Sequence, residues 1–139
     1  MDLKKHFEVD KALEEEGAWF DVGDGGRLKI ARRNNRRYRE HLRRLTRGKE
    51  QQLRLNVLPE ATAEEMLVKA LARCVLLDWK GIEIDGKEVQ YSEATAAEFM
   101  RAYPDFRELI EALADDIEAY RQTHEKAAEK NSGKSSASG

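Results

Sequence analysis

Cys74-Val75-Leu76-Leu77-Asp78-Trp79 runs directly into Lys80-Gly81-Ile82-Glu83-Ile84-Asp85-Gly86-Lys87-Glu88-Val89-Gln90-Tyr91. The first part reads as the end of an apolar helix. The second reads as a small hairpin whose tip, Asp85-Gly86, suits a two-residue type I′ turn. In that register Ile82 faces Val89 and Lys80 faces Tyr91 on one side, and Glu83 opposes Glu88 on the other. Like charges directly opposed are unfavourable, so either the glutamate side is in water or the loop is longer than two residues. Ser92 then opens a helix over 93–102 that carries Ala96, Ala97, Phe99 and Met100. Pro104 suits the first turn of a following helix and disfavours helical geometry at Tyr103. From there Phe106, Leu109, Ile110, Leu113, Ile117 and Tyr120 recur at helical spacing, which predicts one amphipathic helix that frays after Thr123.

Upstream, Thr62 and Glu65 form a capping-box pattern. The helix that follows is expected to bury Met66, Leu67, Ala70, Leu71, Cys74 and Val75, a face broad enough for the central helix of the domain. Full burial of one such Leu contributes about 1.5–3 kcal/mol. Residues 49–61 are ambiguous, because Leu53, Leu55, Val57 and Leu58 alternate partly like a strand before Pro59. Asn34 or Asn35 is the candidate cap of a helix over 36–47, with a thin apolar stripe of Tyr38, Leu42 and Leu45. Residues 18–31 read as another hairpin, with Trp19, Phe20 and Val22 before the turn Gly23-Asp24-Gly25-Gly26 and Leu28 and Ile30 after it.

The elements add up to an α+β, mainly α, fold of about four helices and two small β-hairpins. A flexible arm is expected over 1–17. One globular domain follows over 18–130, divided into a hairpin and basic helix (18–58) and a helix–hairpin–helix part (62–130). The low-complexity stretch 131–139, NSGKSSASG, is expected to be disordered.

Hydrophobic residues make up 40% of the 139 residues and charged residues 37%, enough for one core under a heavily charged surface. The net charge of −2 selects no partner. Its distribution is more informative: 27–54 carries twelve Lys/Arg against Glu40 and Glu50, and 93–120 carries eight Asp/Glu against Arg101 and Arg107. Such asymmetry points to a polar partner surface or to contact between the two halves. The single cysteine, Cys74, permits no internal disulfide and fits a reducing compartment. No apolar signal core follows Met1-Asp2-Leu3-Lys4-Lys5-His6, and no window has the length and apolarity of a membrane span.

Chemistry-bearing residues are scattered. His6, His41 and His124 lie in separate elements without ligand spacing, and Cys74 sits on a core helix face, so no metal or cofactor site is expected. Asp115 and Asp116 are adjacent on a helix and diverge by about 100°, so they read as a solvated face, not an acid/base pair. The turn at 23–26 lacks the residues of a phosphate loop. The arginine-rich stretch 32–47 carries the nucleic-acid alternative: a phosphate-tracking face with Tyr38 stacked on a base. Tyr38 also belongs to the apolar stripe, which favours burial. Candidate partner-binding residues are the aromatics near hairpins and helix ends, Trp19, Phe20, Trp79, Tyr91, Phe99 and Tyr103. Arg36 and Arg43 on the basic helix complete the set.

The order Leu77-Asp78-Trp79-Lys80-Gly81-Ile82, Asp85-Gly86, Val89-Gln90-Tyr91-Ser92, Tyr103-Pro104-Asp105-Phe106, Ala114-Asp115-Asp116 and Lys130-Asn131-Ser132 resembles the tail assembly chaperones of long-tailed, siphovirus-like bacteriophages. Trp19-Phe20-Asp21-Val22 and Leu28-Lys29-Ile30-Ala31-Arg32 are similar to that family's first strands. The resemblance implies a non-catalytic protein, not an enzyme, that binds and solubilises the tape measure protein while tail tube protein subunits polymerise. It implies residence in the host cytoplasm and absence from the mature virion. It also implies a programmed frameshift near the end of the gene, for which Gly133-Lys134 is the candidate position, and contact with tail tube subunits or sister copies.

Overall fold

The computed structural model describes residues 1–121. The expected disordered stretch 131–139, the Gly133-Lys134 position and His124 lie outside the described residues.

The sheet grows from β2 (Gly26–Ile30), which pairs antiparallel with β1 (Ala18–Gly23) on one side and β3 (Leu76–Lys80) on the other. Asp24 and Gly25 both have positive φ, 52° and 79°, which is the type I′ geometry the glycine-rich turn allows. Leu28 and Ile30 are fully buried while Arg27 is exposed, so β2 obeys the expected alternation. Phe20, Leu28 and Trp79 are aligned across the strands on the inner face.

β3 corrects the sequence expectation. The helix expected to run through Trp79 ends at Cys74, and Val75 turns the chain at φ −123°, ψ −61°. A short apolar run does not by itself distinguish a buried strand from a buried helix. Here the unpaired edge of β2 decides: Ala31 N–H donates to Val75 O at 2.8 Å, and the ladder continues to Arg27 and Lys80. The register shifts between Lys29 and Ile30, which lets Leu76 and Trp79 both turn inward. The second hairpin keeps its expected register near the tip, with β4 (Glu83–Ile84) on β5 (Lys87–Glu88), Glu83 opposite Glu88, both glutamates exposed, and Val89 N–H donating to Ile82 O. The expected facing of Lys80 and Tyr91 is not formed, because Lys80 pairs with Arg27 on β2.

Helices cover the inner face of the sheet, in more segments than the four expected. α1 (Leu3–Phe7) and α2 (Lys11–Glu16) occupy the region expected as an arm. α2 is tied to the rest through Asp10 N–H to Tyr120 O at 2.8 Å and Arg32 N–H to Glu14 O at 2.8 Å. α3 (Arg36–Leu45) is capped by Asn35 and turns Tyr38, Leu42 and Leu45 toward α5 (Glu60–Cys74). The ambiguous stretch forms the short α4 (Glu50–Arg54) and leaves Leu53, Leu55 and Val57 exposed.

α5 is central, but two expectations about it fail. The helix starts at Glu60 behind Pro59 with no side-chain cap, so Thr62 lies inside its first turn and not at the cap, and Glu65 reaches across to Arg101. Its buried set gains Val68 and Ala72 while Leu67 is only half-buried, since α3 and α6 (Glu93–Ala102) pack on different sides of it. Ser92 caps α6 by accepting from Thr95 N–H, and Pro104 opens α7 (Pro104–Ala114), both as the residues dictate.

The single helix expected beyond Pro104 is also corrected. α7 stops at Ala114, and Ile117–Tyr120 is a 3-10 turn. Asp115 and Asp116 explain the stop: Arg33 holds the first carboxylate, and the second accepts from Glu118 N–H and caps the turn. Tyr120 still reaches the core, fully buried, with its hydroxyl donating to Ile30 O at 2.9 Å. Among the described residues no helix is long and apolar enough to cross a membrane.

Two substitutions test this arrangement. Asn35 is buried, donates to Cys74 O at 3.0 Å and to Arg32 O at 2.8 Å, and accepts from Tyr38 N–H. Asn35→Ala removes a cap and strands a buried carbonyl, so urea unfolding should show a loss of about 2–3 kcal/mol. Asn35→Asp should recover little, because a carboxylate caps but has no proton for Cys74 O. Gly81 has φ +68°, and a Cβ there would stand 2.2 Å from Gly25 O. Gly81→Ala should therefore cost at least about 2 kcal/mol, and more than Gly86→Ala, whose φ is equally positive but whose Cβ would meet open space.

Candidate functional site

An open apolar groove of about 420 Å³ lies between the two hairpins and α6–α7. Each wall follows from local rules. Val22 comes from the bulged end of β1, and Ile82 and Ile84 from the second hairpin. Phe99 is contributed by the last turn of α6. Tyr103 sits at the break that Pro104 enforces, and Phe106 and Leu109 follow it one and two turns later along α7. Tyr103 is 49% exposed and Leu109 39%, so large apolar surface is left uncovered. The charged residues lining the groove are both acidic, Asp24 and Glu83.

Behind the groove stands an aromatic stack. Trp79 is buried, lies parallel to Phe99 at 5.5 Å between centroids and meets Tyr91 edge-on at 5.1 Å. Phe99 in turn meets Tyr103 at 6.1 Å. The two inner polar tips are satisfied: Trp79 Nε1 donates to Val89 O at 2.7 Å and Tyr91 Oη to Leu76 O at 2.8 Å. Burial pushes the Tyr91 phenol up to about 12, so it remains a donor at any working pH. The stack pins the second hairpin to β3 and α6 and gives the groove a rigid back wall.

The candidate aromatics therefore divide. Trp79, Tyr91, Phe99 and Tyr103 come together, with only Tyr103 substantially exposed. Phe20 points inward and packs against Tyr120 at 6.2 Å. Trp19 lies on the other face of the sheet, between Arg27 at 5.1 Å and Lys80 at 4.9 Å from its ring. Ile82, Ile84 and Leu109 line the groove and were not singled out from the sequence. Helical spacing places Leu109 in the core stripe of α7, and only the width of that stripe hints otherwise, since Ile110 and Ala114 are the fully buried residues of the helix.

The basic and acidic segments meet within one molecule. Arg33 donates to Glu111 at 2.6 Å and, through Nε, to Asp115 at 3.0 Å, and Arg32 faces Glu14 at 3.7 Å. Bonding to Asp115 raises the Arg33 pKa further, so this charge is permanent. Arg36 is exposed and pairs with Glu15 and Glu40, both at 3.4 Å. Arg37, Arg43 and Arg44 on α3 and Arg47 in the turn after it are exposed and leave a cationic face. Tyr38 is buried on the opposite side at 7% exposure, so it offers no ring to a nucleic-acid base. His41 is held below its usual pKa by partial burial and by the nearby Arg73 and Arg44, so it adds no charge to that face at neutral pH. Among the described residues, no group of three or more His, Cys, Asp or Glu is placed to hold a metal ion.

Comparison with known proteins gives one family. A model described as the YdaY prophage protein matches residues 33–131, which is more than two thirds of the chain and spans α3 through α7. No curated protein and no solved structure matches. The matched span includes the Asn35 tie, the aromatic stack and both helices that wall the groove, so by the greater part of its length this chain belongs to the YdaY prophage protein family.

Proposed function

We propose that this prophage protein is a non-catalytic tail assembly chaperone that binds and solubilises the tape measure protein. The observation that carries the reading is the open groove with Leu109 and Tyr103 exposed on its rim. A long helical client with an apolar stripe presents side chains at i, i+3, i+4 and i+7, and such a stripe fits a groove lined by aromatic and branched side chains. Each client Leu or Phe sheltered there is removed from water at about 1.5–3 kcal/mol. The acidic lining from Asp24 and Glu83 favours a client stripe flanked by Lys or Arg. The prophage family and the motif order around the second hairpin support the same reading. In it, the protein works in the host cytoplasm, hands its client to polymerising tail tube protein and leaves before the virion matures.

A second reading has its own observation, the exposed arginines along α3. These would bind a phosphate backbone without reading sequence, with affinity falling steeply as salt rises. The buried Tyr38 removes the stacking partner that single-stranded binding uses.

Co-expression separates the two. With the coiled-coil client of the same tail gene cluster, the chain should keep the client in the soluble fraction. Leu109→Asp should reduce that fraction several-fold while the chain itself stays folded, and Arg43→Glu should leave it unchanged. Client solubility that is indifferent to the chain, together with DNA binding that weakens steeply between 50 and 200 mM salt, would replace the first reading by the second.

A further inference from the structure

We propose that the groove also receives α1 of a second copy of this chain, so that molecules without client cap one another head to tail. The proposal rests on the groove being the working surface, as argued above.

α1 is the complement of the groove in both shape and charge. None of its residues is buried. Leu3 is 67% exposed and Phe7 55%, and their spacing of four places them on one side of the helix. That spacing is the anchor pair of a helix lying in an apolar groove. Lys4 and His6 border that side of the helix, whereas the charged residues lining the groove are Asp24 and Glu83. The helix is capped by Asp2, whose carboxylate accepts from Lys4 N–H at 3.0 Å and Lys5 N–H at 3.2 Å. Apolar side chains therefore stand outward on a formed helix, with cations beside them.

The occupant is a second molecule because of how α1 is tethered. Asp10 N–H is bonded to Tyr120 O, and the Tyr120 hydroxyl to Ile30 O, at the Ala18–Ile30 end of the first hairpin. The groove lies at the other end, by Gly23 and Gly26, about 13 Å along the strands. Phe7 precedes Asp10 by three residues, at most about 11 Å of extended chain. A molecule's own Leu3–Phe7 pair therefore starts from the wrong end of the sheet. The contact joins two different patches, so it either propagates as open chains or closes when two copies exchange arms reciprocally. With two anchor residues it is weak and concentration-dependent. Client and arm compete for one surface, and copies released from client would sequester each other's apolar rims.

Sedimentation equilibrium of the full chain tests this. The weight-average mass of the wild type should rise across roughly 10 μM to 1 mM and fall back in 0.5 M salt. Phe7→Asp and Leu109→Asp should each be monomeric alone. Their mixture should form a 1:1 dimer that grows no further, because the Leu109→Asp protein still offers an arm and the Phe7→Asp protein still offers a groove. If Leu109→Asp lacks the wild-type circular dichroism spectrum, Tyr103→Glu, at a half-exposed rim position, takes its place. A wild type that stays monomeric over the whole range, single variants that still associate, or a mixture that does not pair each overturn the proposal. Client capture by the Phe7→Asp protein keeps the two readings apart. Capture with a monomeric wild type ends only the self-capping proposal, and lost capture with intact self-association ends only the client reading.

Discussion

Asn35 is buried at 6% exposure, and its side-chain amide closes three gaps at once: the start of α3, the exit of β2 and the last carbonyl of α5. A polar group in that position is costly unless every bond is made. Here the oxygen takes Tyr38 N–H and the nitrogen gives to Arg32 O and Cys74 O, so the site is satisfied. The bond to Cys74 fixes where α5 stops, and therefore where β3 begins to pair with β2. The groove inherits this order. β3 carries Trp79, Trp79 stacks on Phe99, and Phe99 sets the height of Tyr103.

What could be read beforehand was whatever residues dictate to their immediate neighbours. Asp85-Gly86, the glycine turn before Arg27, Asn35, Ser92 and Pro104 all act within a few positions, and each does in the fold what its chemistry requires. The misread places are those where a distant partner wins. Leu76–Lys80 is apolar enough for either a helix or a strand, and only the open edge of β2 makes it a strand. Glu65 would complete a capping box, but α5 already starts at Glu60, and Arg101, 36 residues away, binds the carboxylate and lowers its pKa. The stripe from Phe106 to Tyr120 has helical spacing, yet Arg33 and the short side chain of Asp116 end the helix in its middle. The groove was half legible for the same reason. Its aromatics stand out by type, whereas Ile84 and Leu109 gain their place only when the second hairpin and α7 are brought together.

The charge asymmetry has a structural answer. The beginning of the basic stretch, Arg32 and Arg33, is spent on α2 and α7 inside the molecule, where these ion pairs are partly shielded. The rest, along α3, faces outward. The molecule thus shows a cationic face on α3 and an acid-lined apolar groove between the hairpins and α7, while its net charge is near zero. Two surfaces of opposite character are kept apart on a molecule of little net charge.

A three-stranded sheet has two outer strands, and the backbone groups along them are a template for unwanted pairing. β1 is irregular between Asp21 and Gly23, which interrupts a continuous row. On β3, the Trp79 amide is taken by the Asp78 carboxylate at 2.8 Å, so one outward donor is already silenced. Each feature removes part of the template that edge-to-edge pairing needs, so the borders of this small sheet are poor seeds for fibrils.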